Sequence, residues 1–280
     1  VSEHDSAPAG AKPAPSNLVM RVLAALVLAP LTIAIAYAGG WLWVLLVTLV
    51  SIGLFAEWLT VVGAGSAALT GAGTVVIAMM GAAVAFGGLK TSVIVGLVGG
   101  AIVTLIARGK FVWAATGFAY AAAALLASIL VRKDLVNGFS ALMFVLLVVW
   151  ATDIGGYFAG RSIGGPKLWP RVSPKKTWAG ALGGFVASLV VAAGFAACGI
   201  GKAVPLLLIS AVLSVVSQAG DLFESAVKRR FGVKDSSHLI PGHGGLMDRL
   251  DGFVAAILVA WIIGFLRHGV HSAGSGLMVW

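Results

Sequence analysis

An all-α polytopic bundle of about nine membrane-spanning helices, with its N-terminus in the cytosol, is the fold this sequence predicts. Three observations predict it. Of 280 residues 60% are apolar and only 10% charged, and the mean hydropathy of +1.04 lies far outside the soluble range. The apolar runs are long and unbroken, matching the roughly 20 residues a helix needs to cross about 30 Å of hydrocarbon. They also lack the two-residue alternation of a barrel strand, the other structure that satisfies its own backbone in lipid.

Residues 1–17 are polar and rich in Ala, Pro and Ser, and read as a disordered cytosolic tail. Apolar spans follow at residues 18–38, 41–63, 69–87, 90–107, 111–131, 136–160, 177–199, 203–220 and 250–268. The third and fourth are short and glycine-rich. Ala36, Tyr37 and Ala38 imitate a signal-peptidase site, but the eight spans that follow favour a retained anchor. The chain divides into N-terminal helices over 18–135 and a C-terminal region over 136–280, with long polar loops at 161–176 and 221–249.

Nine spans put alternate loops on opposite sides of the membrane, and the basic residues test that alternation. Fourteen of the nineteen, from Lys12 and Arg21 through Arg108, Arg161, Lys176 and Arg230 to Arg249, fall on the side of the N-terminus. Lys90, Arg132, Lys133, Lys202 and Arg267 fall on the other. The positive-inside rule places the N-terminus and both polar loops in the cytosol and the C-terminus outside.

Acids inside a membrane are costly and tend to face the bundle interior or a water-filled cavity. Glu57, near the cytosolic end of the second span beside Trp58, is expected to reach the interface. Asp153 precedes Gly156 and Gly160, which are spaced for close helix contact, and is expected in or beside a cavity. The loop after it holds five basic residues, three prolines and no acid over residues 161–177. Attraction to anionic headgroups accounts for charge alone. Ser173, Lys175, Lys176 and Thr177 open the seventh span, where free N–H groups, hydroxyls and ammonium groups converge on an anion, so phosphate binding is the sharper reading.

If the eighth span continues as a helix past the membrane, Asp221, Glu224, Ser225 and Lys228 share one face at roughly 100° per residue. Pro241, Gly242, His243, Gly244 and Gly245 then form a turn into Asp248, Arg249 and Asp251. Two aspartates three apart suit a hard cation such as Mg²⁺, which takes a few carboxylates plus phosphate oxygens. His243 is expected to hydrogen-bond rather than to ligate zinc, because no second His or Cys stands at helical ligand spacing. Cys198 is the one cysteine and is expected to be a small buried apolar residue.

The run over residues 225–251 resembles the signature of the phosphatidate cytidylyltransferase (CDP-diacylglycerol synthase) family at seventeen of twenty-seven positions. Among them are Ser225, Lys228, Arg229, Lys234, His243, Gly244, Gly245, Asp248, Arg249 and Asp251. Residues 153–180 are similar to the family's second motif region through Gly156, Tyr157, Gly160, Arg161, Lys167, Ser173, Lys176 and Thr177. Many relatives carry an acid or amide where Ala179 stands here, so that position is given no function.

The resemblance implies a multi-pass, homodimeric enzyme of the bacterial inner membrane, active at the cytosolic face on CTP and phosphatidate. It also implies Mg²⁺, with a second, monovalent cation such as K⁺ beside it; no nucleic acid partner is expected. On that reading Asp221, Asp248 and Asp251 hold the metal. Lys228, Arg229, Lys234, Arg249, Lys175 and Lys176 contact phosphates, helped by Ser173, Thr177, Ser225, His243 and the N–H groups of Gly244 and Gly245. A transporter would place polar groups at the midplane in paired repeats, and no internal repeat is visible. A CDP-alcohol phosphotransferase would carry a D-G-x-x-A-R opening, which is missing here. A lipid-binding scaffold has no use for an aligned set of acids.

Overall fold

A computed structural model describes residues 17–237 and 244–280. Each expected apolar span coincides with a helix: α1 (Asn17–Ala38), α2 (Gly40–Val61), α3 (Ala67–Ala82), α4 (Gly88–Ile106), α5 (Phe111–Lys133), α6 (Gly138–Ser162), α7 (Trp178–Ala197), α8 (Ala203–Arg230) and α9 (Met247–His268). A short α10 (Ala273–Met278) follows. Among the described residues, seven helical stretches are long and apolar enough to cross a membrane. One of these, Ala67–Ile106, joins the expected third and fourth spans through a π-helical turn at Ala83–Gly87. Gly88, at φ +82°, reverses the chain there. Ser92 Oγ then donates to the Met80 carbonyl at 2.9 Å, and Val76 packs so tightly on Gly99 that a Cβ would lie 2.2 Å from it.

Both long polar stretches carry regular structure, the second of them the helical continuation expected for the eighth span. Residues 221–230 are the last turns of α8, because the polar face that begins at Asp221 keeps a helical spacing until Gly232, at φ +71°. The other loop folds into an antiparallel pair, β1 (Lys167–Trp169) and β2 (Ser173–Thr177), with Lys167 opposite Thr177 and Trp169 opposite Ser173. It is the single sheet among the described residues. Thr177 ends β2 and caps α7, its side chain accepting the Gly180 N–H at 3.1 Å.

The core lies where α2, α5, α6 and α9 meet, around Phe55, Trp58, Leu125, Phe144 and Ile257. Two indoles fix α2 on α5: Trp43 donates to the Ser128 carbonyl at 3.1 Å and Trp58 to that of Trp113 at 2.8 Å. Gly117 makes this possible, since a Cβ there would lie 2.2 Å from the Trp58 ring. The expected close contact at Gly156 and Gly160 is made with α7. A Cβ on Gly180 would stand 2.9 Å from the Gly156 carbonyl, and one on Gly184 only 2.4 Å from that of Thr152. Cys198 is exposed at the end of α7 rather than buried, because the helix stops there and Gly199 turns the chain away.

Candidate active site

The polar ends of α6, β2, α8 and α9 converge on one cavity of about 1300 Å³. Its wall changes character along α6. Leu146 and Trp150 face it together with Leu28 of α1 and Leu46, Val47 and Val50 of α2, and Asp153, Tyr157 and Arg161 follow at helical spacing. At about 1.5 Å per residue, Arg161 stands roughly 20 Å beyond Leu146, so a single cavity is apolar at one end and charged at the other.

At the charged end Lys176 of β2 forms an ion pair with Asp221 of α8, whose carboxylate also accepts a long 3.4 Å bond from Ser225 Oγ. Glu224, one turn further on, is buried. Lys228 lies 2.8 Å from Glu224 and 2.6 Å from Asp248, so it ties α8 to the start of α9. Asp248 accepts two backbone N–H groups as well, those of Ser236 and Gly245, both at 3.0 Å. Asp251 lines the cavity one turn later and accepts the N–H of Gly252 at 2.7 Å. The carboxyl group of Asp251 is within electrostatic reach of those of Asp221, Glu224 and Asp153, and that of Asp153 is within reach of Asp221. The helical face expected for Asp221, Glu224, Ser225 and Lys228 is therefore present and directed at α9.

Of the residues singled out in the sequence, Asp153, Lys175, Lys176, Thr177, Asp221, Asp248, Arg249 and Asp251 line the cavity. Ser173, Ser225, Lys228, Arg229, Lys234, Gly244 and Gly245 are outside its described wall. Lys234 is exposed, and the exposed Arg229 guanidinium donates to the Val233 carbonyl at 3.2 Å. Gly244 takes a φ of +86°, which a side chain would strain. His243 lies outside the described residues.

Among the described residues, no three His, Cys, Asp or Glu side chains are gathered as a ready-made metal cage. Mg²⁺ does not require one, since one or two carboxylates plus substrate phosphates and water commonly complete its shell. The donors fit such a cation. Asp221 and Asp251 both reach the cavity, and no hydrogen-bond donor besides Lys228 meets the buried Glu224 carboxylate among the described residues. The one ammonium that meets it among these residues is shared with Asp248, so the two carboxylates outnumber their cation.

Glu57 departs furthest from its expected place. Instead of reaching the interface it is buried, accepting from Ser236, Ser237, Leu246 and Met247. The signal available in the sequence was Gly53 one turn earlier, a small residue on the same face as an intramembrane acid.

Known proteins resemble the chain over most of its length. A family model described as the cytidylyltransferase family matches residues 19–266. The phosphatidate cytidylyltransferases of Brucella suis and Brucella melitensis are each 41% identical over 275 residues, covering 92% of this chain and 98% of the relative. That of Bacillus subtilis is 48% identical over 120 residues, 42% of this chain and 44% of the relative.

Proposed function

The chain belongs to the cytidylyltransferase family, and on that premise we propose that it converts CTP and phosphatidate into CDP-diacylglycerol and pyrophosphate. The observation that carries the reading is the two-sided cavity. Its apolar wall from α1, α2 and the first half of α6 suits acyl chains, and its charged end suits phosphates. A lipid and a nucleotide need such an arrangement to meet.

The lipid's phosphomonoester has a second pKa near neutrality, by analogy with the value of about 6 for a phosphorylated side chain, so its oxygen attacks already ionised. A new bond forms between that oxygen and the α-phosphorus of CTP. The bond from the α-phosphorus to the bridging oxygen breaks, and pyrophosphate leaves with the electron pair. No general base is needed; the demands are alignment and charge neutralisation.

Lys176 and Lys228 suit that task. Each ammonium carries three N–H donors; Lys176 uses one on Asp221, and Lys228 faces Asp248 and Glu224. Lys175, Lys176 and Arg249 line the cavity, and Lys228, outside its described wall, is joined to it through Asp248. Arg229 and Lys234, exposed beside it, would draw the nucleotide in; Ser173, Thr177, Ser225, His243 and the N–H groups of Gly244 and Gly245 would complete the phosphate contacts. Asp221, Asp248 and Asp251 would hold Mg²⁺, with Asp153 beside them. When bound, that ion supplies neutralisation of the phosphate oxygens. Buried Glu224 supports a second, monovalent cation such as K⁺.

We place the charged end at the cytosolic face of a bacterial inner membrane, in a homodimer. The excess of basic residues on that side supports the orientation, and the bacterial relatives support the membrane. The test is to incubate purified protein with labelled CTP, phosphatidate and Mg²⁺ and look for a labelled CDP-lipid. Product that requires all three is expected; none across a range of detergents and metals sinks the reading.

A further inference from the structure

Glu57 belongs to an apolar helix far in sequence from every motif above, yet its carboxylate grips the chain on both sides of residues 238–243. Oε2 accepts from Ser236 Oγ and from the Met247 N–H, each at 2.8 Å. Oε1 accepts from Ser237 Oγ at 2.6 Å and from the Leu246 N–H at 2.8 Å. Four donors saturate a carboxylate, which offers about four lone-pair sites. Leu246 is the N-cap of α9 and Met247 its first residue, and the leucine has no side-chain oxygen to give. Glu57 therefore supplies from α2 the cap that α9 lacks, at the helix end where N–H groups are orphaned and negative charge is favoured.

The surroundings are shaped to this grip. A Cβ on Gly245 would stand 1.8 Å from Ser236 Oγ and 2.6 Å from Glu57 Oε2, so only glycine admits the carboxylate. One turn before Glu57, a Cβ on Gly53 would stand 2.8 Å from the Leu246 side chain. Asp248 lies one residue beyond Met247, and two of its partners, Ser236 N and Gly245 N, come from the segments that Glu57 holds.

We propose that Glu57 is a positioning residue for the transfer reaction. By seating residues 236–237 and 246–247 on one carboxylate, it sets the direction in which the first turn of α9 presents Asp248 and Arg249 to the cavity. It thereby gives α2 a part in the chemistry as well as in the bundle. The catalytic side of the proposal rests on the cytidylyl-transfer reading; the seating itself does not.

Glu57→Gln is the sharpest test. The amide keeps one accepting oxygen, but its NH₂ group faces a backbone N–H that it cannot accept from, so one donor of α9 is left opposed. For this variant kcat/KM for CTP is expected to fall about tenfold or more, as small misplacements in such sites do. The Mg²⁺ concentration for half-maximal rate should rise, with KM for phosphatidate unchanged. Hydrogen exchange should quicken at residues 245–248 and stay unchanged in α5 and α6. Glu57→Asp, which keeps the charge on a shorter arm, should recover part of the loss. Replacing Ser236 and Ser237 together with alanine keeps both α9 bonds and should cost less than Glu57→Gln.

A kcat/KM for Glu57→Gln within about twofold of the parent overturns the proposal. So does exchange that quickens equally in α2, α5, α6 and α9, which would mark Glu57 as general bundle support. If the parent itself makes no CDP-lipid, the function proposed above fails, while the exchange comparison still decides whether Glu57 seats the loop.

Discussion

Asp221 and Asp248 are the same side chain in two kinds of setting, and substitution separates them. Asp221 is part-exposed and, among the described residues, meets the side-chain donors Lys176 and Ser225. Asp248 is bound to Lys228 and to two backbone N–H groups of the neighbouring loop. Asparagine at 221 is expected to cut turnover by about a hundredfold or more with the thermal midpoint nearly unchanged, because it removes a charge where phosphates gather and breaks no backbone contact. Asparagine at 248 can keep its oxygen on the two backbone N–H groups, which share Oδ2, but it then turns its NH₂ towards the Lys228 ammonium. It should lose turnover and also about 1–3 kcal/mol of stability, the cost of a buried group left unpaired. Kinetics and thermal unfolding on both variants check this; equal destabilisation by the two substitutions would contradict it. Both aspartates are legible in the sequence, since each belongs to a run whose helical spacing puts other polar residues on its face. Glu57 is not legible in that way, because its four donors lie about 180 residues further along and no local period connects them.

At the scale of elements, α6 and α7 form one wall of the site and approach more closely than side chains normally permit. The spacing of Gly156 and Gly160 announced a close contact, but the identity of the partner needed the fold: Gly180, Gly183 and Gly184 of the next helix fill the opposite side. The hairpin between them was not legible, because three prolines and five basic residues describe a restrained polar loop equally well. Its pairing of Lys167 with Thr177 brings Lys176 back beside α8. Gly184→Ala is expected to destabilise the protein by about 1–3 kcal/mol, since the added methyl would have to displace the backbone at Thr152. Gly194, on the same helix with open space around it, is the control. Gly194→Ala should be neutral or stabilising by a few tenths of a kcal/mol up to about 1 kcal/mol, through helix propensity alone. Thermal unfolding in one detergent compares the pair, and equal shifts would show that the α6–α7 approach is not tight enough to matter.

For the whole molecule, the lengths of two helices fix where the charged end of the cavity stands relative to the bilayer. α8 has 28 residues, about 42 Å at 1.5 Å each, roughly 12 Å more than the hydrocarbon needs. The excess matches its polar end, from Asp221 to Arg230, which is expected in the headgroup region. α7 has 20 residues and spans about 30 Å, starting beside Thr177 in the cavity wall and ending at the exposed Cys198. With the cavity's charged end at the cytosolic boundary, Cys198 emerges at the outer one. The sequence contains no other cysteine, so the native chain carries its own topological reporter. A membrane-impermeant maleimide added to intact spheroplasts is expected to label the parent protein and to leave Cys198→Ser unlabelled. In the Cys198→Ser background, Lys167→Cys in the hairpin should be labelled only after the membrane is opened. The reverse pattern would turn the molecule over, move the site to the outer face and remove it from cytosolic CTP, which the proposed reaction cannot survive.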